Sequence, residues 1–236
     1  LALDALDELA GWGLVPPVVV ADAGDGQNAD FRAGLAERGH AYVVGIRGDI
    51  TVQPHDAHPT APAWCGTGRR PQPRYRQPPV TVASLAAAAG RDAFSEVTWR
   101  EGSRGPMTSR FLAMRVRPAG VRSRRLAQAA AVARHGRWDG VLPEVRLLAE
   151  WPDGHDKPTR FWLSDLPDDT PIADLVRLAK IRWRIEHDYR ELKDGLGLDH
   201  FEGRSYLGWH RHVTLTALAQ AFCTLLRLDP KVPAPA

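Results

Sequence analysis

Apolar residues recur at three-residue steps from the start of the chain. Leu3, Leu6, Leu9 and Trp12 fall on one face of a helix, which Gly13 closes ahead of Pro16 and Pro17. The pattern then changes. "PPVVVAD" is a short apolar run ending in Asp22, the form taken by a strand covered on both faces. "NADFRAGLAERG" returns to a helical pattern, with Asn28 as its cap and Gly39 as its stop. "AYVVGIR" is a second apolar run. Helix, strand, helix and strand in short succession predict α/β organisation.

The period is lost in residues 53–79, which are dense in Pro, Arg and Gly and read as loop or linker. Strand-like alternation follows in "SEVTWREG" and "SRFLAMRVR". In the latter, Leu112, Met114 and Val116 share one face, and Arg115 and Arg117 the other. "EVRLLAEW" and "RFWLSDL" form a further hairpin around "PDGHDKP". Helical patterns return over roughly 171–197 and about 207–227. The expected organisation has three parts: residues 1–52 open an α/β core, 53–165 hold a Pro/Arg-rich linker and a β-rich insertion, and 166–236 supply the closing helices.

Composition changes this picture in two places. At 236 residues, 44% hydrophobic and 25% charged, the chain is of ordinary globular type. Its two cysteines, Cys65 and Cys223, lack metal spacing and suggest a reducing cytoplasm. Net charge is only +3, yet ten arginines and a single acid, Glu101, lie between Arg100 and Arg137. Such a run reads either as a nucleic-acid surface or as a bias toward arginine codons. The first residue is Leu and already helical in pattern, so the chain is expected to be a piece of a longer one, begun inside a helix.

Asp22 stands where α/β sheets gather their ligands, beyond the carboxyl end of a strand. Gly24 and Gly26 are expected to turn the backbone sharply and leave the carboxylate open. Gly24, Gly26 and Ala29 fit a nucleotide-binding G-x-G-x-x-A, and Asp22 to Gly26 fit the D-x-G-x-G of S-adenosylmethionine-dependent methyltransferases. Both sites want an acid near the end of the next strand, where Arg47 stands. A third reading is a carboxylate that holds a divalent metal with other acids. The plainest is a helix-capping or turn aspartate.

"LAKIRWRIEHDYRELKDGLGLDHFEGRS" is the most informative stretch. On a wheel of about 100° per residue, Arg182 and Lys193 fall within about 40° of Glu186. Leu178, Ile185, Tyr189, Leu192 and Leu196 form a stripe expected to be buried, with Glu186 at its border. Geometry alone also allows ordinary surface pairing of Glu186 with Arg182 or Arg190.

Arg182, three residues, Glu186, six residues, Lys193 resembles the signature of bacterial insertion-sequence transposases of the DDE type. "VVVADAG" is similar to that family's second acidic strand, and residues 197–227 to its usual ending. The departures are Ala179 in place of a Tyr, Asp25 in place of an aromatic and Gln27 in place of an acid. The resemblance implies an RNase H-like, integrase-type α/β core, incomplete at its N-terminus, with a β-rich insertion between the second and third acids. It implies metal-dependent cleavage and strand transfer of transposon DNA ends. Asp22 and Glu186 would be the catalytic and metal-binding acids, with Mg²⁺ or Mn²⁺ as cofactor. Arg182 and Lys193 would meet DNA phosphates.

The family's first acid would precede the chain, so the polypeptide alone is expected to be inactive. Double-stranded DNA, a homodimer when complete and a cytoplasmic, nucleoid-associated setting are further implications. Trp99, with Arg100 and Arg104, is a candidate DNA contact: in related transposases with such an insertion an aromatic there receives a flipped base. Packing of the hairpin is the plainer reading of Trp99. A non-catalytic DNA-binding remnant that regulates transposition, and more distantly a methyltransferase, are the alternatives. His200, His210 and His212 do not share a helix face as zinc ligands would.

Overall fold

Helix and strand alternate as the sequence predicts over the first part of the computed structural model, which describes residues 1–102 and 105–228. Helix α1 (Ala2–Gly11) leads to β1 (Val19–Ala21), a four-residue helix α2 (Ala23–Gly26), α3 (Ala29–Glu37) and β2 (Tyr42–Ile46). Asn28 caps α3 by accepting from the Asp30 amide at 2.9 Å, and Gly39 ends it with φ 71°. Arg38 donates two 2.7 Å hydrogen bonds to Asp7 and ties α1 to α3.

β3 (Thr51–Pro54), β4 (Val80–Thr81), α4 (Val82–Ala88), β5 (Ser95–Gly102) and β6 (Gly105–Pro118) follow, then α5 (Val121–His135), β7 (Val145–Trp151), β8 (Arg160–Ser164) and α6 (Ile172–Lys180). The strands form one sheet in the order β1-β2-β8-β7-β6-β3-β4, with β5 paired to β6. Among the described residues, only β1 and β2 pair in parallel. Because β8 pairs with β2 and β7 with β6, the strands that the sequence assigns to an insertion bond directly into the sheet begun by β1 and β2.

Alternation along the strands builds a core on each face. Tyr42, Val44, Ile46, Leu147, Ala149, Phe161 and Leu163 pack with Phe31 and Leu35 of α3 and Val82 and Ala86 of α4. Val43, Phe111 and Leu148 point the other way and meet Leu175 and Val176 of α6. The double cover is why these strands read as continuous apolar runs.

Besides the short α2, two helices escape the sequence pattern. Thr81 caps α4 by accepting from the Ser84 amide at 3.1 Å. Helix α5 is built from Arg and Ala and buries only Ala127. It is helical by residue propensity rather than by an apolar stripe.

The chain divides into two units, Leu1–Lys180 and Ile181–Ala236. The single helix expected over 171–197 is broken at that boundary: α6 ends at Lys180, and α7 (Trp183–Arg190) begins the second unit. A π-helical turn, Glu191–Gly195, continues α7, with the Leu196 amide donating to the Glu191 carbonyl at 3.0 Å. Helix α8 (Tyr206–Leu228) completes the described part of this unit. The stripe expected to be buried is open at its centre, where Ile185 is 49% and Tyr189 56% exposed. The wheel behind that expectation assumes unbroken α-helical steps, which the break and the π turn do not provide.

Candidate active site

Asp22 follows β1 directly and has the extended backbone of a helix N-cap, φ −84° and ψ −175°. Its Oδ1 accepts from the Gly24 amide at 2.8 Å. The capping role is therefore real, and it holds an exposed carboxylate at the carboxyl end of a strand in the sheet's parallel pair. The glycines act differently from expectation. Neither Gly24 nor Gly26 has positive φ, so no left-handed turn is made here. Gly26 is instead required by close approach: a Cβ there would lie 2.1 Å from the Gly45 carbonyl oxygen of β2. Arg32 reaches back from α3 and donates to the Gly26 carbonyl, clamping the other end of α2. β2 ends at Ile46; Arg47, beyond it, pairs with Asp49.

Glu186 lies in the first turn of α7. Its side chain is 70% exposed, and an Arg182 guanidinium nitrogen lies 3.4 Å from Oε1. Arg182 is the N-cap residue of α7, and Lys193 is exposed within the π turn. Locally this is the screened surface pairing that helix geometry alone allows. It is also an open carboxylate flanked by cations, followed by the kind of π turn found often at functional sites. Asp22 belongs to the first unit and Glu186 to the second.

Trp99, on β5, is half-buried and packs edge-on against Phe111, with ring centroids 5.7 Å apart. The Lys180 ammonium sits 4.6 Å from the Trp99 ring centroid and 5.5 Å from those of Phe111 and Trp162. Lys180 is paired with Glu150, whose side chain is only 4% exposed. Burial pulls the Lys180 pKa below its ordinary value, against the pull of Glu150. Trp99 is thus part of a packed cage, and stacking on a base would require it to give up its place over Lys180. Arg100 is half-buried beside a register shift in the β5–β6 ladder. Arg104 lies outside the described residues.

Several members of the arginine-rich run have structural work. Arg115 pairs with Glu144 and Asp168, Arg117 donates to the Leu142 carbonyl at 2.7 Å, Arg122 pairs with Asp30, and Arg124 lies over the Trp138 ring. Charge along the sequence therefore overstates the charge left for a nucleic acid.

One cluster was not singled out in the sequence. Ligand atoms of His187, Asp188 and Glu191 lie within 4.8 Å of one another on α7 and the π turn. Their i, i+1, i+4 spacing is its only sequence signal. Glu191 is already engaged, accepting from Arg227 at 2.8 Å and Gln220 at 3.0 Å, and these bonds draw its pKa down to about 2. The C-terminal histidines are used elsewhere: the His212 ring lies 2.9 Å from the Gly197 carbonyl oxygen, and His210 rests against Tyr206 and Trp209. No helix among the described residues is long and apolar enough to cross a membrane.

Residues 1–106 match the model of a family described as DDE superfamily endonuclease, and the match supports a DDE-type transposase. It takes in Asp22, Trp99, Arg100 and Arg104 and ends before Glu186. A nuclease or transposase acting on DNA is the corresponding activity, and divalent metals are the usual cofactors of such enzymes. No curated protein matches the chain.

Proposed function

We propose that the chain carries the second and third acids of an RNase H-like transposase core that, when complete, cuts and joins the ends of a mobile DNA element. The observation that carries this reading is Asp22: an exposed carboxylate, fixed at a strand end by its cap and by Gly26, inside the stretch that matches the DDE endonucleases. The arrangement Arg182, Glu186, Lys193 supplies the later acid of the signature.

The donor chemistry fits the metal. Exposed carboxylates are hard oxygen ligands suited to Mg²⁺ or Mn²⁺. Asp22 and Glu186 would hold the ions, which when bound activate the attacking hydroxyl and neutralise charge on the phosphodiester. Arg182 and Lys193, on either side of Glu186, would bind flanking phosphates and keep the carboxylate ionised. Arg100 and Arg104 would add backbone contacts, and two copies would act on paired ends.

Binding of a labelled transposon-end duplex, followed by fluorescence anisotropy, tests this reading. Ca²⁺ or Mn²⁺ is expected to tighten binding by the wild type, and Asp22→Asn and Glu186→Gln are each expected to abolish that gain while metal-free binding persists. DNA binding that ignores both the metal and the two substitutions would instead identify a non-catalytic DNA-binding protein.

A further inference from the structure

An open cleft of about 550 Å³ lies beside α2, between the start of α3 and the start of α5. Arg32, Arg47, Arg122, Gly120 and Ser123 line it, together with one acid, Asp49. Arg47 and Arg122 are exposed and already paired with Asp49 and Asp30. Arg32 differs from both. Only 8% of it is exposed, and among the described residues its guanidinium makes one hydrogen bond, to the Gly26 carbonyl, and no ion pair.

A buried guanidinium without a counter-charge is costly, and the cost falls when an anion enters. Burial depresses the Arg32 pKa, as expected of a cation lacking an acidic partner. The second wall of the cleft favours the same sign of ligand. Helix α5 starts at Gly120 with no side-chain cap, so its first turn presents amide hydrogens and the positive end of a 15-residue helix. The arginine fork matches the paired oxygens of a phosphate.

We propose that this cleft binds a phosphate group, held by Arg32 and the first turn of α5. The phosphate chemistry stands on the cleft alone. Taking the DNA backbone as its source rests on the proposed function, and places one phosphodiester close to the helix that Asp22 caps. Free phosphate is the other source.

The test uses the full chain with two probes, inorganic phosphate and a labelled DNA duplex. Arg32→Met removes the charge, and Ser123→Asp sets a negative charge at the rim without touching Arg32. At fixed ionic strength, phosphate is expected to raise the melting temperature of the wild type and of neither variant. The slope of log affinity for DNA against log salt is expected to fall by about one in Arg32→Met. Loss of the phosphate effect with an unchanged DNA slope would assign the cleft to free phosphate. Phosphate stabilisation through Arg32 in a chain that binds no DNA would leave the cleft standing and remove the proposed function. If Arg32→Met does not fold, Ser123→Asp decides. Folded variants that keep the full phosphate response and the full salt slope overturn the proposal.

Discussion

A methyl group added at Gly26 would lie 2.1 Å from the Gly45 carbonyl oxygen and 2.9 Å from the Val44 Cβ, both on a buried strand that cannot retreat. At Gly24 the nearest atom is the Asp22 carboxylate oxygen at 2.9 Å, the free end of a side chain. Gly26→Ala is therefore expected to cost about 1–3 kcal/mol by urea denaturation, and Gly24→Ala less. Equal losses would remove close packing as the reason for Gly26. Lys180 poses the complementary case. Lys180→Met leaves the buried Glu150 with the exposed Arg160, 3.8 Å away, as its remaining cation, and a loss of up to about 3 kcal/mol is expected. Lys180→Met with Glu150→Leu should recover most of it, and a double-mutant cycle showing simple additivity would contradict the cage. Asp22 was legible in the sequence because a strand end followed by glycines is a local pattern. The cage was not, because Glu150, Lys180 and Trp99 meet only through the order of strands in the sheet.

Elements with a clean period were legible for the same local reason. β1, α3, β2 and the two hairpins follow alternation or caps that can be read residue by residue. Helix α5 has no stripe to read, and the π turn after α7 inserts a step that no wheel anticipates. That turn carries a pH-sensitive link to α8. Glu191 is held at about 2 in the folded chain, chiefly by Arg227 and then by Gln220, against an ordinary value of 4.5. A carboxyl lowered on folding contributes stability that is fully present above its unfolded value and is lost as pH falls through its folded one. Stability from this link is thus expected to drain away between pH 4.5 and about 2. Glu191→Gln should flatten that part of the profile, followed by urea midpoints of the helical circular dichroism signal. An unchanged acid limb would contradict the Glu191–Arg227 link.

For the molecule as a whole, sequence charge and available charge are different quantities. Arg115 is bound between Glu144 and Asp168, so Arg115→Ala is expected to lower stability and leave the salt dependence of DNA binding alone. Lys193→Ala, at an exposed position proposed to meet phosphate, is expected to reduce that salt slope by about one. The reverse result would mean that the ion pairs of β6 are not what Arg115 is for. The proposed pairing of Asp22 with Glu186 rests on the family signature alone. The two acids are far apart in sequence, and no local period links a strand end to a helix in another unit.

The most direct measurement is Mn²⁺ binding by calorimetry to the wild type, Asp22→Asn, Glu186→Gln and the double variant. If both carboxylates grip the same ions, each single change removes most of the affinity and the double change removes little more. Independent, additive losses would contradict a shared site. So would metal binding that survives both changes and disappears with His187→Ala.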